Sequence, residues 1–331
     1  MSSEERIWEI PIDVDSNFCC NVEWSPDNQL LAVASSSSEI AVYSFKERSL
    51  SATVLLEDRS DFLSDLNDTL AWSPDSHLLA IGTTDGLRMW NSETRELSSY
   101  PTTYFVTGPS LGVTILAVKW SPDGQQLAAW SSNEILWILE LQEGGLQIVR
   151  EEKEVPAKSS FDWYADESGT LLAIGVKVDL QLIDTKNLDH TIGRIYVPIS
   201  AVRFNSNGSL VATGTESGRV VIWDIQSGGR VYDIPETGHA IQGLRFLLED
   251  QSIATTYSDG SLLIWDLGAQ AEGHQLLAGI PGWHGGHFLA TNDDILAFLR
   301  ISSTIDEPGN LLSIWDVRSR NLVGEISTTQ Q

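Results

Sequence analysis

Cysteine is nearly absent from this 331-residue chain, whose two cysteines, Cys19 and Cys20, are adjacent. Neighbouring cysteines rarely bridge each other because the disulfide would be strained. The sequence therefore excludes a disulfide framework and indicates a reducing compartment. This pair alone cannot complete a metal site, and we interpret both residues as small core side chains.

Long apolar runs and basic charge are also scarce. No apolar stretch approaches the ~18 residues that a membrane helix needs, and Met1–Arg6 carries no apolar signal segment. The chain has 20 Lys plus Arg against 46 Asp plus Glu, a formal net charge of −26, which repels phosphate backbones. We expect a cytoplasmic protein with no nucleic-acid and no membrane partner, for which basic protein segments are better candidates. The alternative is that the acidic charge serves only solubility.

Motifs for catalysis are missing as well. No Gly-x-Ser-x-Gly nucleophile, phosphate-cradling glycine loop, metal-spaced Cys/His set or His-Glu-x-x-His motif occurs. Only His284 and His287 lie close together in the sequence, and two ligands are too few for a metal site. We interpret the segment Trp283–His287 as a glycine-rich surface loop, and we expect no enzyme activity, no metal and no cofactor.

Tryptophan, by contrast, is abundant, and its positions reveal an internal repeat. The segment Val22–Asp27 recurs as Leu70–Asp75 and Val118–Asp123, each with the core Trp-Ser-Pro-Asp, and weaker copies follow. Seven aromatic residues anchor the copies: Trp24, Trp72, Trp120, Trp163, Phe204, Phe246 and Phe288. Units roughly 40 to 50 residues apart are typical of a repeat fold.

Each copy predicts four short strands. The first carries the anchor aromatic, and a Ser-Pro-Asp-Gly or Ser-Pro-Asp-Asn turn leads to a small apolar strand such as Leu30–Ala34. The third strand ends in an aromatic residue, as in Val220–Asp224, and a more polar outer strand such as Arg230–Ile234 completes the unit. Near-continuous apolar runs indicate strands buried on both faces. A single unit cannot cover both of its faces, whereas packing such units around a ring buries both.

The third-strand endings resemble those of WD repeats. Trp223-Asp224, Trp265-Asp266 and Trp315-Asp316 match the family's terminal dipeptide, and Gly238-His239 matches its leading dipeptide. The resemblance covers essentially the whole chain. It implies an all-β, seven-bladed β-propeller with four-stranded antiparallel blades, built as a single domain over residues 1–331.

The same resemblance implies a structural hydrogen-bond set in one repeat. In the family a His, a Ser or Thr, an Asp and a Trp connect adjacent loops and strands within a blade. The matching positions are His239, Thr255, Asp259 and Trp265. A buried indole N–H and an imidazole need such partners, so we interpret these residues as structural rather than catalytic. The preceding copy has Thr213 and Trp223, but Ser217 replaces its Asp.

Closure of the ring is the remaining architectural question, because an open ring leaves free strand edges. The segment Arg6–Pro11 resembles the outer strand Arg230–Pro235. We predict that it joins the last blade, so that the N- and C-terminal strands pair. The segment Asn321–Ile326 competes for the same place, and either segment could take it.

Loops on a rigid scaffold tend to carry function, and three loops stand out. Two long connections lie at Glu57–Asp68 and Tyr100–Gly112, and an insertion at Ser303–Gly309 lengthens the last copy. In the family such loops lie on one face, called top, and here on neighbouring blades. They combine apolar and acidic residues: Asp58, Asp61, Phe62, Leu63, Asp65, Tyr104, Phe105, Trp283, Asp306 and Glu307.

Aromatic anchors surrounded by charge are typical of binding hot spots, and acidic loops speed the approach of a basic partner. The leading prediction is therefore a protein-interaction scaffold, a subunit of a larger complex that binds a basic or amphipathic segment. The alternative for this surface is that Phe62 and Leu63 only pin a short helical turn onto the second blade.

Two other functions compete with the scaffold. A metal-dependent propeller hydrolase would act on a small molecule in the central channel. It would need several Asp, Glu, Asn or His side chains on the first strands, where the sequence offers mainly Val, Leu and aromatic residues. The Ser-Pro-Asp-Gly turns also resemble those of peptidase-associated and periplasmic propellers, but the Trp-Asp endings and the missing signal segment count against that class.

Overall fold

The structure is a computed structural model, and it is built entirely from β-strands where it describes the chain. The described residues are 21–34, 39–44, 46–47, 49–56, 69–101, 113–142, 145–153, 155, 160–166, 169–176, 179–184, 189–194, 198–268, 272–277, 283–284, 295–302 and 309–329. They form seven four-stranded antiparallel sheets and no helix.

The first four sheets follow the predicted copies in order. Sheet 1 consists of β1 (Asn21–Trp24), β2 (Leu30–Ala34), β3 (Glu39–Ser44) and β4 (Ser49–Leu55). Sheet 2 consists of β5 (Leu70–Trp72), β6 (Leu78–Thr83), β7 (Gly86–Asn91) and β8 (Leu97–Pro101). Sheet 3 consists of β9 (Ile115–Trp120), β10 (Gln126–Ser131), β11 (Ile135–Gln142) and β12 (Gly145–Lys153). Sheet 4 consists of β13 (Phe161–Asp166), β14 (Gly169–Val176), β15 (Asp179–Asp184) and β16 (Asp189–Arg194).

The last three sheets repeat the pattern. Sheet 5 consists of β17 (Ile199–Phe204), β18 (Leu210–Thr215), β19 (Val220–Asp224) and β20 (Arg230–Ile234). Sheet 6 consists of β21 (Ile241–Leu247), β22 (Ser252–Tyr257), β23 (Leu262–Asp266) and β24 (Glu272–Leu277). Sheet 7 consists of β25 (Trp283–His284), β26 (Ile295–Ser302), β27 (Gly309–Asp316) and β28 (Asn321–Thr329).

The first strand of each sheet lies at an inner edge. Strands pair in chain order within every sheet, and the first strands of successive sheets contact one another from sheet 1 to sheet 6. Six of the predicted anchor aromatics lie in these first strands: Trp24, Trp72, Trp120, Trp163, Phe204 and Phe246. The seventh, Phe288, lies outside the described residues.

Glycines on the second strands let neighbouring sheets approach closely. Each faces an isoleucine of the next sheet's first strand: Gly82 and Ile115, Gly175 and Ile199, and Gly214 and Ile241. A Cβ atom added to Gly214 would lie only 2.6 Å from Cγ2 of Ile241. Buried side chains fill the rest of the space between sheets 5 and 6. The missing side chain at Gly214 therefore lets these two sheets pack closely at this point.

The Ser-Pro-Asp turns hold the first and second strands together. Ser25 Oγ donates to Asp27 Oδ1 at 2.6 Å and accepts a hydrogen bond from Leu30 N at 2.9 Å. The last turn residue adopts a left-handed conformation, with φ of 58° at Asn28 and 70° at Gly124. Asn and Gly tolerate that region better than other residues, which explains their place in the repeat.

The outer edges of the sheets are interrupted. A register shift breaks the pairing of the third and fourth strands in sheets 1, 3, 4, 5, 6 and 7. Sheet 2 pairs without a shift, but its edge strand β8 ends at Pro101. Bulges and prolines both discourage pairing of a free edge with another chain.

The structure decides between the two segments that compete for the last outer strand. The segment Asn321–Ile326 lies in β28 and pairs with β27 as the fourth strand of sheet 7. The segment Arg6–Pro11 lies outside the described residues, so its pairing and the closure of the ring stay predictions. Trp283 and His284, expected in a loop, form the short strand β25 against Ser302 and Ile301; aromatic side chains suit a pleated strand.

Candidate functional site

The predicted binding loops begin and end at one end of the sheets. Because successive strands are antiparallel, second-to-third-strand turns and fourth-to-first-strand connections leave from this same end. We keep the name top face for it. Residues 57–68, 102–112 and 303–308 connect strands there and lie outside the described residues. The predicted contact residues among them are Asp58, Asp61, Phe62, Leu63, Asp65, Tyr104, Phe105, Asp306 and Glu307.

The points where the chain enters sheets 2 and 3 from the top face are fixed by backbone hydrogen bonds. Gly82 N donates to Thr69 O at 2.8 Å, and Ser132 N donates to Thr114 O at 2.9 Å. Thr114 N in turn donates to Ser132 Oγ at 3.2 Å. Thr69 directly follows residues 57–68, and Thr114 lies two positions after residue 112, so both segments end next to anchored positions.

The connection from sheet 5 to sheet 6, residues 235–240, shows how such a segment crosses the top face. Gly238 N donates to Ser217 O at 3.0 Å, which ties the connection to the sheet 5 turn. Ala240 N donates to Ser258 Oγ at 3.1 Å, and Ser258 N donates to Ala240 O at 2.8 Å. The connection is therefore bonded to the turns of both sheets that it joins.

Two of the four residues in the predicted hydrogen-bond set bond directly. Trp265 Nε1 donates to Thr255 Oγ1 at 3.0 Å, and sheet 5 repeats this bond between Trp223 Nε1 and Thr213 Oγ1 at 3.1 Å. Both threonines are fully buried. In each sheet the threonine hydroxyl therefore accepts a hydrogen bond from an indole N–H that is buried away from water.

The other two residues meet separately. His239 Nε2 lies 3.6 Å from Asp259 Oδ2, beyond hydrogen-bond distance, and half of the His239 side chain is exposed. Asp259 Oδ1 instead accepts hydrogen bonds from Ser261 N at 3.0 Å and Ser261 Oγ at 2.7 Å. The structure thus places His239 beside Asp259 and Thr255 beside Trp265.

Tyr257 is a member of this network that the sequence argument missed. Thr255 Oγ1 lies 3.1 Å from the Tyr257 hydroxyl, and Tyr257 is completely buried. Burial raises the pKa of the Tyr257 phenol, because ionisation in an apolar surrounding is unfavourable. An aromatic residue two positions after Thr255 was the only signal for it in the sequence.

Charged pairs hold the described turns of the top face. Arg88, which is largely buried, lies 2.6 Å from Asp85, whose other oxygen accepts a hydrogen bond from Thr83 Oγ1 at 2.6 Å. Burial acts to raise the pKa of Asp85, but the bonds from Thr83 and Arg88 outweigh it and lower the pKa. In sheet 5, Arg219 binds both carboxylate oxygens of Asp233 at 2.7 and 2.5 Å, which lowers the pKa of that carboxyl.

The inner edge is more polar than the sequence argument assumed. The residue before the anchor aromatic is charged on five described first strands, as Glu23, Lys119, Asp162, Arg203 and Arg245. The expectation of mainly Val, Leu and aromatic residues was therefore incomplete. Alignment of the repeats could have predicted these charges, because all five residues directly precede an anchor aromatic.

Metal binding and membrane insertion were considered for the described part of the chain. No three His, Cys, Asp or Glu side chains gather there in a way that could hold a metal ion. Over the same residues, no helix has the length and apolar character needed to cross a bilayer. The expected absence of a metal or cofactor stays a prediction.

Comparison with known proteins identifies the repeat. Residues 190–224 match the profile of the family described as WD domain, G-beta repeat. The matched stretch ends at Trp223-Asp224, the dipeptide that closes the third strand of sheet 5. This stretch is a WD repeat, and the comparisons together support a WD-repeat family for the chain.

Solved structures show the architecture of this WD-repeat protein. A chain in the crystal structure of the mitotic checkpoint complex superposes with a TM-score of 0.71 at 17% identity, covering 95% of this chain and 94% of that one. The Cps50 (Swd1) β-propeller domain of Myceliophteria thermophila gives a TM-score of 0.61 at 17% identity, covering 79% and 86%. At this identity the likeness shows the fold alone, an all-β propeller.

Curated relatives of the WD-repeat protein match over parts of their length. The Set1 complex component swd1 of Schizosaccharomyces pombe is 34% identical over 88 residues, 25% of this chain and 21% of that protein. The pre-rRNA-processing protein IPI3 of Mycosarcoma maydis is 26% identical over 154 residues, 41% of this chain and 26% of that protein. The matches thus span only about a quarter of these relatives.

Proposed function

We propose that this WD-repeat protein is a non-catalytic scaffold that works as one subunit of a larger protein complex. Proteins similar to it are named as parts of assemblies: one is a Set1 complex component, and another is found in the mitotic checkpoint complex. The observation that carries the proposal is the series of seven equivalent sheets, whose entry points at one face are held by backbone hydrogen bonds in sheets 2 to 6. Such a platform presents loops on a rigid support, where binding residues are commonly found.

The architecture proposed for this scaffold is a closed ring of seven blades formed by one domain over residues 1–331. Sheets 6 and 7 pack through a shared core that includes Ile264 and Trp315. Arg320 Nη2 lies 2.5 Å from Asp266 Oδ2 and adds an ion pair between the same two sheets. Packing of sheet 7 against sheet 1 would complete the ring.

The proposed binding surface is the top face over the first, second, third and seventh sheets. Its contact residues are Asp58, Asp61, Phe62, Leu63, Asp65, Tyr104, Phe105, Trp283, Asp306 and Glu307. The partner proposed is a basic or amphipathic protein segment, because the net charge of −26 favours approach of positive charge. The same charge disfavours nucleic acid and anionic membrane, and we place the protein in the cytoplasm.

The proposal is tested by affinity purification from native extract with mass spectrometry, followed by titration of the purified partner. The wild type is compared with a Phe62→Ala, Tyr104→Ala, Phe105→Ala variant that shows unchanged melting. The matched control removes three apolar side chains from other exposed positions: Leu141→Ala, Val231→Ala, Leu322→Ala, whose residues are 45%, 46% and 45% exposed.

The expected result is a partner that the loop variant loses and the control variant keeps. A partner lost only by the control would move the binding surface to the outer strands and overturn the top-face proposal. If no protein partner bound the wild type, the scaffold proposal would fail. The metal-dependent hydrolase would then become the function to test.

A further inference from the structure

The outer strands of the seven sheets differ in how they protect their edges. An edge strand exposes unpaired backbone N–H and C=O groups, and charged residues or proline discourage another chain from pairing with them. The strands β12, β16, β20, β24 and β28 each contain a charged residue, and β8 contains Pro101. Only β4, with the sequence Ser-Leu-Ser-Ala-Thr-Val-Leu, contains neither. Its register shift leaves Ala52–Leu55 in continuous pairing with β3.

The same strand carries exposed apolar side chains. Leu50 and Leu55 are 53% and 59% exposed, more than any other large apolar side chain in the described part of the chain. Leu50 pairs with Tyr43, and Leu55 pairs with Glu39. Because Glu39 and Tyr43 lie an even number of residues apart on β3, both leucines lie on one face of sheet 1. An unprotected edge and an exposed apolar face thus occur together on β4.

The two ends of β4 differ in charge. At the end that leads to the top face, Leu55 pairs with Glu39, which is exposed. At the other end, the connection from β3 to β4 has the sequence Phe-Lys-Glu-Arg, in which Lys46 is exposed. Neither Glu39 nor Lys46 forms an ion pair with another described residue. The edge is therefore acidic at one end, uncharged along the strand and more basic than acidic at the other end.

This order of charges is complementary to itself. When two identical strands pair in antiparallel fashion, the basic end of each meets the acidic end of the other, and twofold symmetry repeats every contact. Lys46 of each copy would then approach Glu39 of the other. The strand between them places no like charges opposite each other, although each chain carries a net charge of −26.

We infer that the outer edge of sheet 1 is a self-association surface, on which β4 pairs with β4 of a second copy of this chain. The antiparallel pair joins two four-stranded sheets into one continuous sheet. Leu50 and Leu55 of both copies then lie beside a neighbouring strand instead of an open edge. This surface is separate from the top-face loops, so the inference and the proposed function can fail independently.

The test is sedimentation equilibrium of the full chain over a range of protein concentrations. Glu39→Lys and Lys46→Glu each place like charges at both ends of the strand pair. In an equimolar mixture of these two variants, a mixed dimer again brings opposite charges together at both ends. The matched control is Glu216→Lys, which makes the same change of charge at an exposed turn residue of sheet 5. Melting curves check that every variant folds.

The expected result is a wild-type dimer whose dissociation constant rises about tenfold or more in Glu39→Lys and in Lys46→Glu, because two exposed ion pairs become two like-charge pairs. Glu216→Lys should change it less than about twofold, and the mixture should dimerise about as well as the wild type. Leu55→Asp, which adds charge to the uncharged part of the edge, should also weaken the dimer.

Three results would overturn the inference. The first is a wild type that stays monomeric at every concentration, which would leave β4 open to a different occupant. The second is a dimer that Glu216→Lys weakens as much as the two charge reversals do. The third is a mixture of the two variants that dimerises no better than either variant alone.

Discussion

At the scale of single residues, four buried indole N–H groups are satisfied by partners that the repeat supplies. The tryptophan that ends the third strand of sheets 5 and 6 donates its indole N–H to a buried threonine on the second strand. Trp72 and Trp163, on first strands, donate to the backbone of the preceding sheet instead, at Glu23 O and Lys119 O. The aromatic core is thus combined with hydrogen bonds inside and between sheets.

The Thr255–Trp265 bond yields a stability prediction. Thr255→Val keeps the shape of the side chain but leaves the buried indole N–H of Trp265 without its acceptor. We expect a loss of about 1–3 kcal/mol in the free energy of unfolding, measured by urea denaturation. Thr255→Ser retains the hydroxyl and should lose clearly less, mainly one buried methyl group. Equal losses for both variants would show that the hydrogen bond does not matter.

The residue scale also shows where sequence reasoning was limited. The pairing of Trp265 with Thr255 was visible because both lie in one repeat. The ion pair between Lys119 and Asp162 was not, since these residues are far apart in sequence and meet only when sheets 3 and 4 pack. The predicted contacts at residues 57–68, 102–112 and 303–308 lie outside the described residues and stay predictions.

At the scale of strands and turns, the repeat determines most of the local structure. Alternating apolar residues and the turn Asn205–Gly208, which replaces Ser-Pro-Asp-Gly here, predict the strands of sheet 5 closely, and the outer strand Arg230–Ile234 is confirmed as β20. The exception is the turn of sheet 6, where Leu248, Glu249 and Asp250 all have positive φ. Asp250 there accepts hydrogen bonds from Ser206 of the sheet 5 turn, at 3.0 Å from N and 2.6 Å from Oγ. This contact joins two sheets, so no local pattern in the sequence predicts it.

The Asp residues of the Ser-Pro-Asp turns give a pH prediction. Burial acts to raise the pKa of Asp123, but hydrogen bonds from Ser121 and from Gln125 N outweigh it, so the pKa lies below its usual value. The ionised form is therefore favoured in the folded state. Its contribution to stability is present above the unfolded-state pKa of about 3.9 and is lost as the pH falls through the lower folded-state value.

Urea denaturation of the wild type and Asp123→Asn at pH 7 and pH 3 measures this contribution. The wild type should be the more stable protein at pH 7, and the difference between the two should shrink at pH 3. The same difference at both pH values would mean that ionised Asp123 does not stabilise the turn.

The glycine contacts between sheets give a packing prediction. A methyl group at position 214 would overlap Ile241, so Gly214→Ala should lower the free energy of unfolding by about 1–3 kcal/mol. The matched control is Gly268→Ala, because an added Cβ atom there meets nothing within 4 Å. Calorimetry should show a lower melting temperature for the first variant only, and similar melting for both would rule out close packing at Gly214.

At the scale of the whole molecule, the proposed closure of the ring gives a stability prediction. The outer strand of sheet 7 is already supplied by Asn321–Thr329, so the predicted pairing of Arg6–Pro11 would add a strand beside it and cover a free edge. Deletion of residues 1–12 should then lower the melting temperature by several degrees. Deletion of Gln330 and Gln331 serves as the control and should leave melting unchanged. An unaffected melting temperature after the first deletion would contradict the pairing.

The central claim is that a protein partner binds the loops of the top face. Hydrogen exchange with mass spectrometry on the purified complex, compared with the free chain, tests it most directly. We predict slower exchange at residues 57–68, 102–112 and 303–308, with unchanged exchange on the outer strands β4, β12, β20 and β28. Protection confined to those outer strands, with the three loops unaffected, would contradict the account.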